Sequence, residues 1–203
     1  MSVTAADVAD TVRLTVSALA EARDADWEAT AGPLTWTCWE TVEHIADNLF
    51  FHAAQLGPAI PSADRSVPFA WAQHRSGGPG LVIFADRAAG PDGLLRVVEA
   101  CGAILVAMVR TTPPTVRAYH DEGVLDVEGF AALSIGETLV HMRDVADGLG
   151  IVWTPPADLC DRVLARFFPD TPTDTDRWAT LLWATGRGDL PGRSRVTEWQ
   201  WGG

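Results

Sequence analysis

The chain of 203 residues contains no lysine, so arginine supplies all 15 of its basic residues, against 27 acidic ones. The formal net charge at pH 7 is −12. Proteins that bind DNA or RNA draw much of their affinity from a basic surface, and anionic membranes attract basic segments in the same way. The excess of acids therefore argues against a nucleic acid and against a membrane as the partner.

Long apolar runs and cysteines are scarce as well. No window approaches the roughly 20 apolar residues of a membrane span, and residues 1–7 lack the basic start of a secretory signal peptide. The three cysteines, Cys38, Cys101 and Cys160, are far apart and suggest no disulfide framework. These absences predict a protein of the reducing cytoplasm.

Apolar residues recur instead with the spacing of amphipathic helices. The clearest helix start is Thr37, because Glu40 three residues later can complete a capping box with it. Glycine and proline mark the helix ends, and Gly148 is interpreted as the C-cap of the fourth helix. The predicted helices are four long and two short ones: Thr4 to Arg23, Thr37 to Leu56, the stretch after Pro91-Asp92 up to Arg110, Val127 to Gly148, Ala157 to Phe168 and Asp174 to Thr185. This pattern is typical of an all-α bundle.

Three stretches fall outside the helical pattern. Residues 57–80 are rich in proline and glycine, and a connection of that length suggests a lid or a mobile excursion. Residues 81–85 are apolar but too few to distinguish a strand from a buried helical turn. The tail, from about residue 195 to residue 203, has no readable periodicity. The whole chain, residues 1–203, is interpreted as a single domain.

Glu137 and His141 stand one helical turn apart in the fourth predicted helix, so both side chains leave the same face. A carboxylate and an imidazole at this spacing can hold one divalent metal ion if another helix of the bundle supplies a third ligand. His44 and His52 on the second helix are the candidates for that ligand. The same spacing also fits a solvent-exposed charge pair, the more common arrangement, and periodicity leaves both interpretations open.

Three segments carry a resemblance to a known family. Residues 39–46 read WETVEHIA, residues 137–150 read ETLVHMRDVADGLG, and residues 178–187 read WATLLWATGR. The first is similar to the W-x4-H-hydrophobic segment of the DinB-like superfamily. The second and third resemble the E-x3-H-x2-D segment and the closing segment of its mycothiol-dependent maleylpyruvate isomerase-like branch. The match runs from the second helix to about residue 193.

The resemblance implies a DinB-like four-helix bundle that binds a divalent metal through His44, Glu137 and His141. The resemblance implies zinc as the metal, with nickel and manganese as alternatives. In this branch the open metal position is thought to take a low-molecular-weight thiol, which is mycothiol in actinobacteria. The lysine-free composition is compatible with an actinobacterial source. The activity implied is S-transfer or isomerisation on a small electrophilic substrate.

The resemblance also implies one difference from the isomerase itself. That enzyme is expected to carry a second, α/β domain after the bundle, and too little chain follows residue 193 here to form one. The expectation is therefore thiol transfer or a related reaction on another electrophile, rather than isomerisation of maleylpyruvate.

Two other functions stay open for the same bundle. One is a hydrolase in which water bound to the metal is the nucleophile. The other is a non-catalytic bundle that binds a ligand or an interaction partner. An acidic bundle with apolar faces is also compatible with a homodimer.

Four further residues are candidates for the surroundings of the site. Asp144 either orients a ligand histidine from behind or faces solvent. His52 is predicted to be a packed, hydrogen-bonded helix histidine that borders the pocket. His120 is predicted to lie in a surface loop, with a substrate contact as the alternative. Trp39, one turn before the histidine of the second helix, is a candidate for the pocket mouth, and the cysteines are predicted to be small core residues.

Overall fold

The computed structural model describes residues 2–202, and helices dominate it. The four long helices form a ring in which each packs against two neighbours, α1 and α2 both lying against α3 and α4. The elements along the described chain are α1 (Ala5–Ala20), α2 (Cys38–Gln55), a 3-10 turn (Arg87–Ala89), α3 (Gly90–Thr111), β1 (Arg117–His120), β2 (Gly123–Asp126), α4 (Val127–Leu149), α5 (Ala157–Phe167) and α6 (Arg177–Ala184). The predicted all-α bundle is confirmed, with one small hairpin added to it.

The predicted start of α2 is confirmed in atomic detail. Thr37 Oγ1 accepts a hydrogen bond from the Glu40 backbone N–H at 3.1 Å, and Glu40 Oε2 accepts from the Thr37 N–H at 2.9 Å. Thr4 caps α1 in the same reciprocal way. Each box satisfies backbone donors that the first helical turn leaves without a partner.

Helix α4 is buried on nearly all of its circumference. α1, α2, α5 and β2 all contact it. Its apolar side chains, such as Phe130, Leu133 and Leu139, are among the largest fully buried ones. Because α4 has no solvated face over most of its length, its polar side chains are enclosed too. No helix within residues 2–202 combines the length and the apolar content that a bilayer crossing requires.

The predicted end of α4 at Gly148 is wrong. The helix continues to Leu149, and Gly150 caps it with a left-handed backbone at φ 70°. Gly148 lies inside the last turn, where a Cβ atom would meet Cys38 Sγ and would lie 2.5 Å from the Thr30 carbonyl oxygen. A glycine is needed there because neighbouring chain passes close to the helix, not because the helix stops.

Gly148→Ala is expected to destabilise the protein by about 1 to 3 kcal/mol through overpacking. In an open helix the same change would stabilise by up to about 1 kcal/mol. The measurement is the free energy of unfolding from denaturant titrations of the variant and the unaltered chain. An unchanged or increased value would mean that this close approach is not maintained in solution.

Residues 57–86 form an irregular excursion that is tied to α2 by buried carboxylates. Asp47 accepts hydrogen bonds from the backbone N–H groups of residues 82–83 at 2.8 and 2.9 Å. Glu43 accepts from the Ala85 N–H at 2.7 Å. Leu81 forms an isolated bridge with Ala72. The stretch 81–85 is therefore neither a regular strand nor a helical turn, since side chains of α2 satisfy most of its other backbone donors.

The hairpin of β1 and β2 was not predicted. The strands pair antiparallel from Arg117 opposite Asp126 to His120 opposite Gly123, and Gly123 takes a backbone φ of 130°. His120 is therefore the last residue of β1 and half-buried, which corrects its predicted place in a surface loop. The glycine directly after the two-residue turn is the local signal for this hairpin.

Candidate metal centre

The structure brings His44 of α2 together with Glu137 and His141 of α4. One possible ligand atom from each lies within 4.8 Å of the others. His141 Nε2 is 3.2 Å from Glu137 Oε2, and the rings of His44 and His141 are nearly perpendicular with their centroids 5.0 Å apart. The side chains of Glu137 and His141 are only 18% and 8% exposed, so the alternative of a solvent-exposed charge pair is wrong.

Burial and mutual contact set the charges of this cluster. Burial, with a smaller effect of His141, lowers the pKa of His44 to about 3, so this ring is neutral at pH 7. Burial would raise the pKa of Glu137, but the contacts with both histidines outweigh it and lower the pKa to about 2. Burial would lower the pKa of His141, but Asp144 and Glu137 outweigh it and raise the pKa. The cluster therefore offers one ionised carboxylate and at least one imidazole lone pair at pH 7.

The residues present fit a divalent metal ion. Two imidazoles and one carboxylate are the three-ligand set of many catalytic zinc sites, which keep a further position open. Ligands that sit about 2.1 Å from one ion lie roughly 3 to 4 Å from each other, and the 4.8 Å limit of the cluster requires only small side-chain adjustments. His44 Nδ1 and His141 Nδ1 are both buried and have no hydrogen-bond partner among the described residues, so the polar network is incomplete as it stands.

Asp144 lies behind His141, with its carboxylate oxygen Oδ2 3.4 Å from His141 Nδ1. The Asp144 side chain is only 1% exposed, and Arg187 holds it with Nε and Nη2 at 3.0 to 3.1 Å. This pairing compensates the charge of the buried carboxylate and directs it toward the imidazole. Asp144 therefore lies beside His141 Nδ1 at ion-pair distance, without hydrogen-bond geometry between them. The solvent-facing alternative for Asp144 is wrong.

The indole of Trp36, in the loop before α2, was not predicted at the site. Its ring centroid lies 5.0 Å from that of His44 and 6.1 Å from that of His141.

Trp39 does not lie at the pocket mouth, which corrects its predicted position. It is buried in the core, with its ring edge toward Trp27 at 6.5 Å. As the second residue of α2, Trp39 points away from the face that carries the histidine.

The C-terminal tail also reaches the site, although its sequence showed no periodicity. Trp201 is buried, and its indole N–H donates a hydrogen bond to Glu137 Oε1. Gly136 makes room for this ring, because a Cβ atom there would lie 2.6 Å from it. Asn48, one turn after the histidine of α2, donates to Glu137 Oε2 at 3.3 Å and could have been found by its spacing. Trp201 offered no such signal.

A cavity of about 210 Å³ opens beside the cluster. It is lined by His44, Asn48, His52, His120, Glu122, Glu137 and Trp201. His52 is buried and hydrogen-bonded to Ser134 at 2.7 Å, as predicted, and it borders this cavity. Two larger grooves lie on α3 beside α1 and have no comparable cluster of ligand atoms.

The cysteines lie in the core, as predicted. All three are free and buried. Burial raises the pKa of Cys38 to about 11, that of Cys101 to about 11 and that of Cys160 to about 12. Such thiols stay protonated at neutral pH and are poor nucleophiles. No described residue therefore provides a reactive thiol at the cavity.

Comparison with solved structures identifies the fold. Two crystal structures of the mycothiol-dependent maleylpyruvate isomerase, one of a histidine-to-alanine variant, match with TM-scores of 0.57 and 0.55. Each match covers 95% of this chain and 97% of the solved chain at 15% sequence identity. This chain has the fold of that isomerase. No protein-family profile and no curated protein sequence matches the chain.

The coverage also bears on the expected missing domain. The aligned stretch takes in 97% of each isomerase chain. The solved isomerase chains therefore contain no large domain that this chain lacks, which corrects the expectation of a missing second domain. The likeness in fold thus extends beyond the four long helices.

Proposed function

We propose that the protein is a divalent-metal-dependent enzyme that uses a low-molecular-weight thiol in S-transfer or isomerisation on a small electrophilic substrate. The observation that carries the proposal is the convergence of His44, Glu137 and His141 beside a cavity. The shared fold supports it, because the solved neighbours depend on mycothiol. Zinc is the metal that the ligand set favours.

The roles of the side chains follow from their contacts. His44, Glu137 and His141 would hold the ion, and Asp144 would keep the ring of His141 in its orientation. Trp201 donates a hydrogen bond to Oε1 of Glu137, and the other carboxylate oxygen, Oε2, faces His141. When bound, a divalent ion supplies Lewis acidity and lowers the pKa of a thiol.

The source of the thiol is external to the chain. The cysteines are buried and their pKa values are raised, so the protein offers no nucleophilic sulfur of its own. The cavity of about 210 Å³ is smaller than the usual pocket of a drug-sized ligand. Only the sulfur-bearing end of a thiol cofactor and a small electrophile would fit inside together, with the bulk of the cofactor outside.

The test measures consumption of small α,β-unsaturated carbonyl compounds by the zinc-loaded protein with and without mycothiol. The expected rate saturates with thiol concentration and exceeds the protein-free rate by about 100-fold or more. A rate that does not depend on the thiol would contradict the proposal and indicate a hydrolase. Bound metal without turnover of any compound would contradict it in favour of a non-catalytic binding bundle.

A further inference from the structure

The wall of the cavity beyond the candidate ligands contains a second pair of histidines. His52 of α2 and His120 of β1 face each other with ring centroids 5.1 Å apart and planes inclined by 68°. Phe130 packs against both rings, at 5.8 and 6.2 Å. Neither ring belongs to the cluster of His44, Glu137 and His141, so the proposed metal chemistry leaves this pair without a role.

The contacts of His52 favour the tautomer with the proton on Nδ1. Its Nδ1 lies 2.7 Å from Ser134 Oγ. The Ser134 hydroxyl also lies 2.8 Å from the Phe130 carbonyl oxygen, which can only accept; with its single proton donated there, Ser134 accepts from His52 Nδ1–H. The neutral ring therefore has its lone pair on Nε2. His52 offers the cavity a hydrogen-bond acceptor.

The contacts of His120 determine the opposite tautomer. Its Nδ1 lies 3.1 Å from the backbone nitrogen of Glu122, and a backbone N–H can only donate. Nδ1 is therefore the acceptor, and the neutral ring has its proton on Nε2. His120 offers the cavity a hydrogen-bond donor beside the acceptor of His52.

The charges that line the cavity are all negative. Glu122 and Glu137 are its two carboxylates, and no described arginine is among the lining residues. Arg187, the cation behind the cluster, is already paired with the buried Asp144. The two carboxylates together balance a divalent ion, so the loaded cavity has no net charge to attract an anionic substrate.

We propose that this cavity binds an uncharged carbonyl compound whose oxygen accepts from His120 Nε2–H while an adjacent N–H or O–H donates to His52 Nε2. Primary amides and hydroxy-carbonyl compounds carry this donor and acceptor side by side. This inference rests on the proposed function in one respect: it takes the cavity to be the substrate site of that enzyme and names the class of substrate. Dicarboxylates of the same shape bind more weakly, because the carboxylate of Glu122 repels them.

The tautomers are tested first, on the full chain labelled with ¹⁵N-histidine, by two-bond ¹⁵N–¹H correlation spectra at pH 7. The expected result is a proton on Nδ1 of His52 and on Nε2 of His120, both with and without zinc. A proton on Nε2 of His52, or on Nδ1 of His120, overturns the proposal. No turnover is needed for this measurement, so its outcome is independent of the thiol assay.

The substrate class is tested with maleamide and maleate, which share a carbon skeleton and differ in charge. Maleamide is expected to shift the ring nitrogens of both histidines and to bind the zinc-loaded protein about tenfold more tightly than maleate. His120→Phe should weaken maleamide about tenfold through the lost donor, whereas His74→Phe, outside the cavity, should not change it. Glu122→Gln should strengthen maleate binding. The proposal is overturned if maleate binds as tightly as maleamide. It is also overturned if maleamide binds equally to the His120→Phe variant and to the unaltered chain.

Thiol dependence and ligand discrimination can fail separately. If the discrimination holds and no thiol-dependent turnover occurs, the proposed function is contradicted and the cavity is a binding site for uncharged ligands. If turnover occurs and dicarboxylates are preferred, the inference on substrate class is contradicted alone.

Discussion

Replacement of His141 by alanine is expected to abolish binding of a divalent metal. The unaltered chain should retain about one zinc ion after dialysis, as a three-ligand site does, and the variant should retain none. The loss of affinity should exceed the roughly 10- to 100-fold that removal of an outer-shell partner costs. The physical reason is that His141 is a buried ligand with Glu137 one turn before it, and no other described imidazole lies close enough to replace it.

Elemental analysis and thermal unfolding together check this result. Zinc at about 100 times its dissociation constant should stabilise the unaltered chain by roughly 2.7 kcal/mol and leave His141→Ala unchanged. His74→Ala is the matched control, because His74 lies on the excursion, contacts Glu43 of α2 and takes no part in the cluster. Equal zinc content in His141→Ala and the unaltered chain would contradict the proposed metal site.

Arg187→Leu is expected to lower the free energy of unfolding by about 3 to 5 kcal/mol. The carboxylate of Asp144 is 1% exposed, and Arg187 is its cationic partner. Removal of the guanidinium leaves the buried carboxylate with only the His141 ring beside it among the described residues, which costs far more than the pair itself contributes. The same change should weaken zinc binding by roughly 10- to 100-fold, since the side chain that orients His141 loses its own support.

Two further variants separate these effects. Arg143→Leu removes an arginine that pairs with Asp147 at the surface, and it should cost no more than about 1 kcal/mol. Adding Asp144→Asn to Arg187→Leu removes the uncompensated charge and should restore part of the stability but not the zinc affinity. Equal destabilisation by Arg187→Leu and Arg143→Leu would show that Asp144 is not enclosed as described.

The helices could be predicted because their ends depend on neighbours in sequence. The capping box of Thr37 and Glu40 involves residues three apart, so the start of α2 was readable and correct. Gly148 misled because glycine has two uses, at helix ends and at close approaches, and only the position of Thr30 distinguishes them. The hairpin was missed for a related reason: its strands are four residues each, too short for a period to emerge.

The sequence by itself determined that Glu137 and His141 share one face of a helix, since 3.6 residues per turn allow nothing else. It could not decide whether that face meets solvent or protein. The tertiary structure decided it by packing α2 against α4, which encloses the pair and brings His44 to it. The approach of Trp201 from the tail was likewise undetermined, because contacts between residues far apart in sequence leave no local pattern.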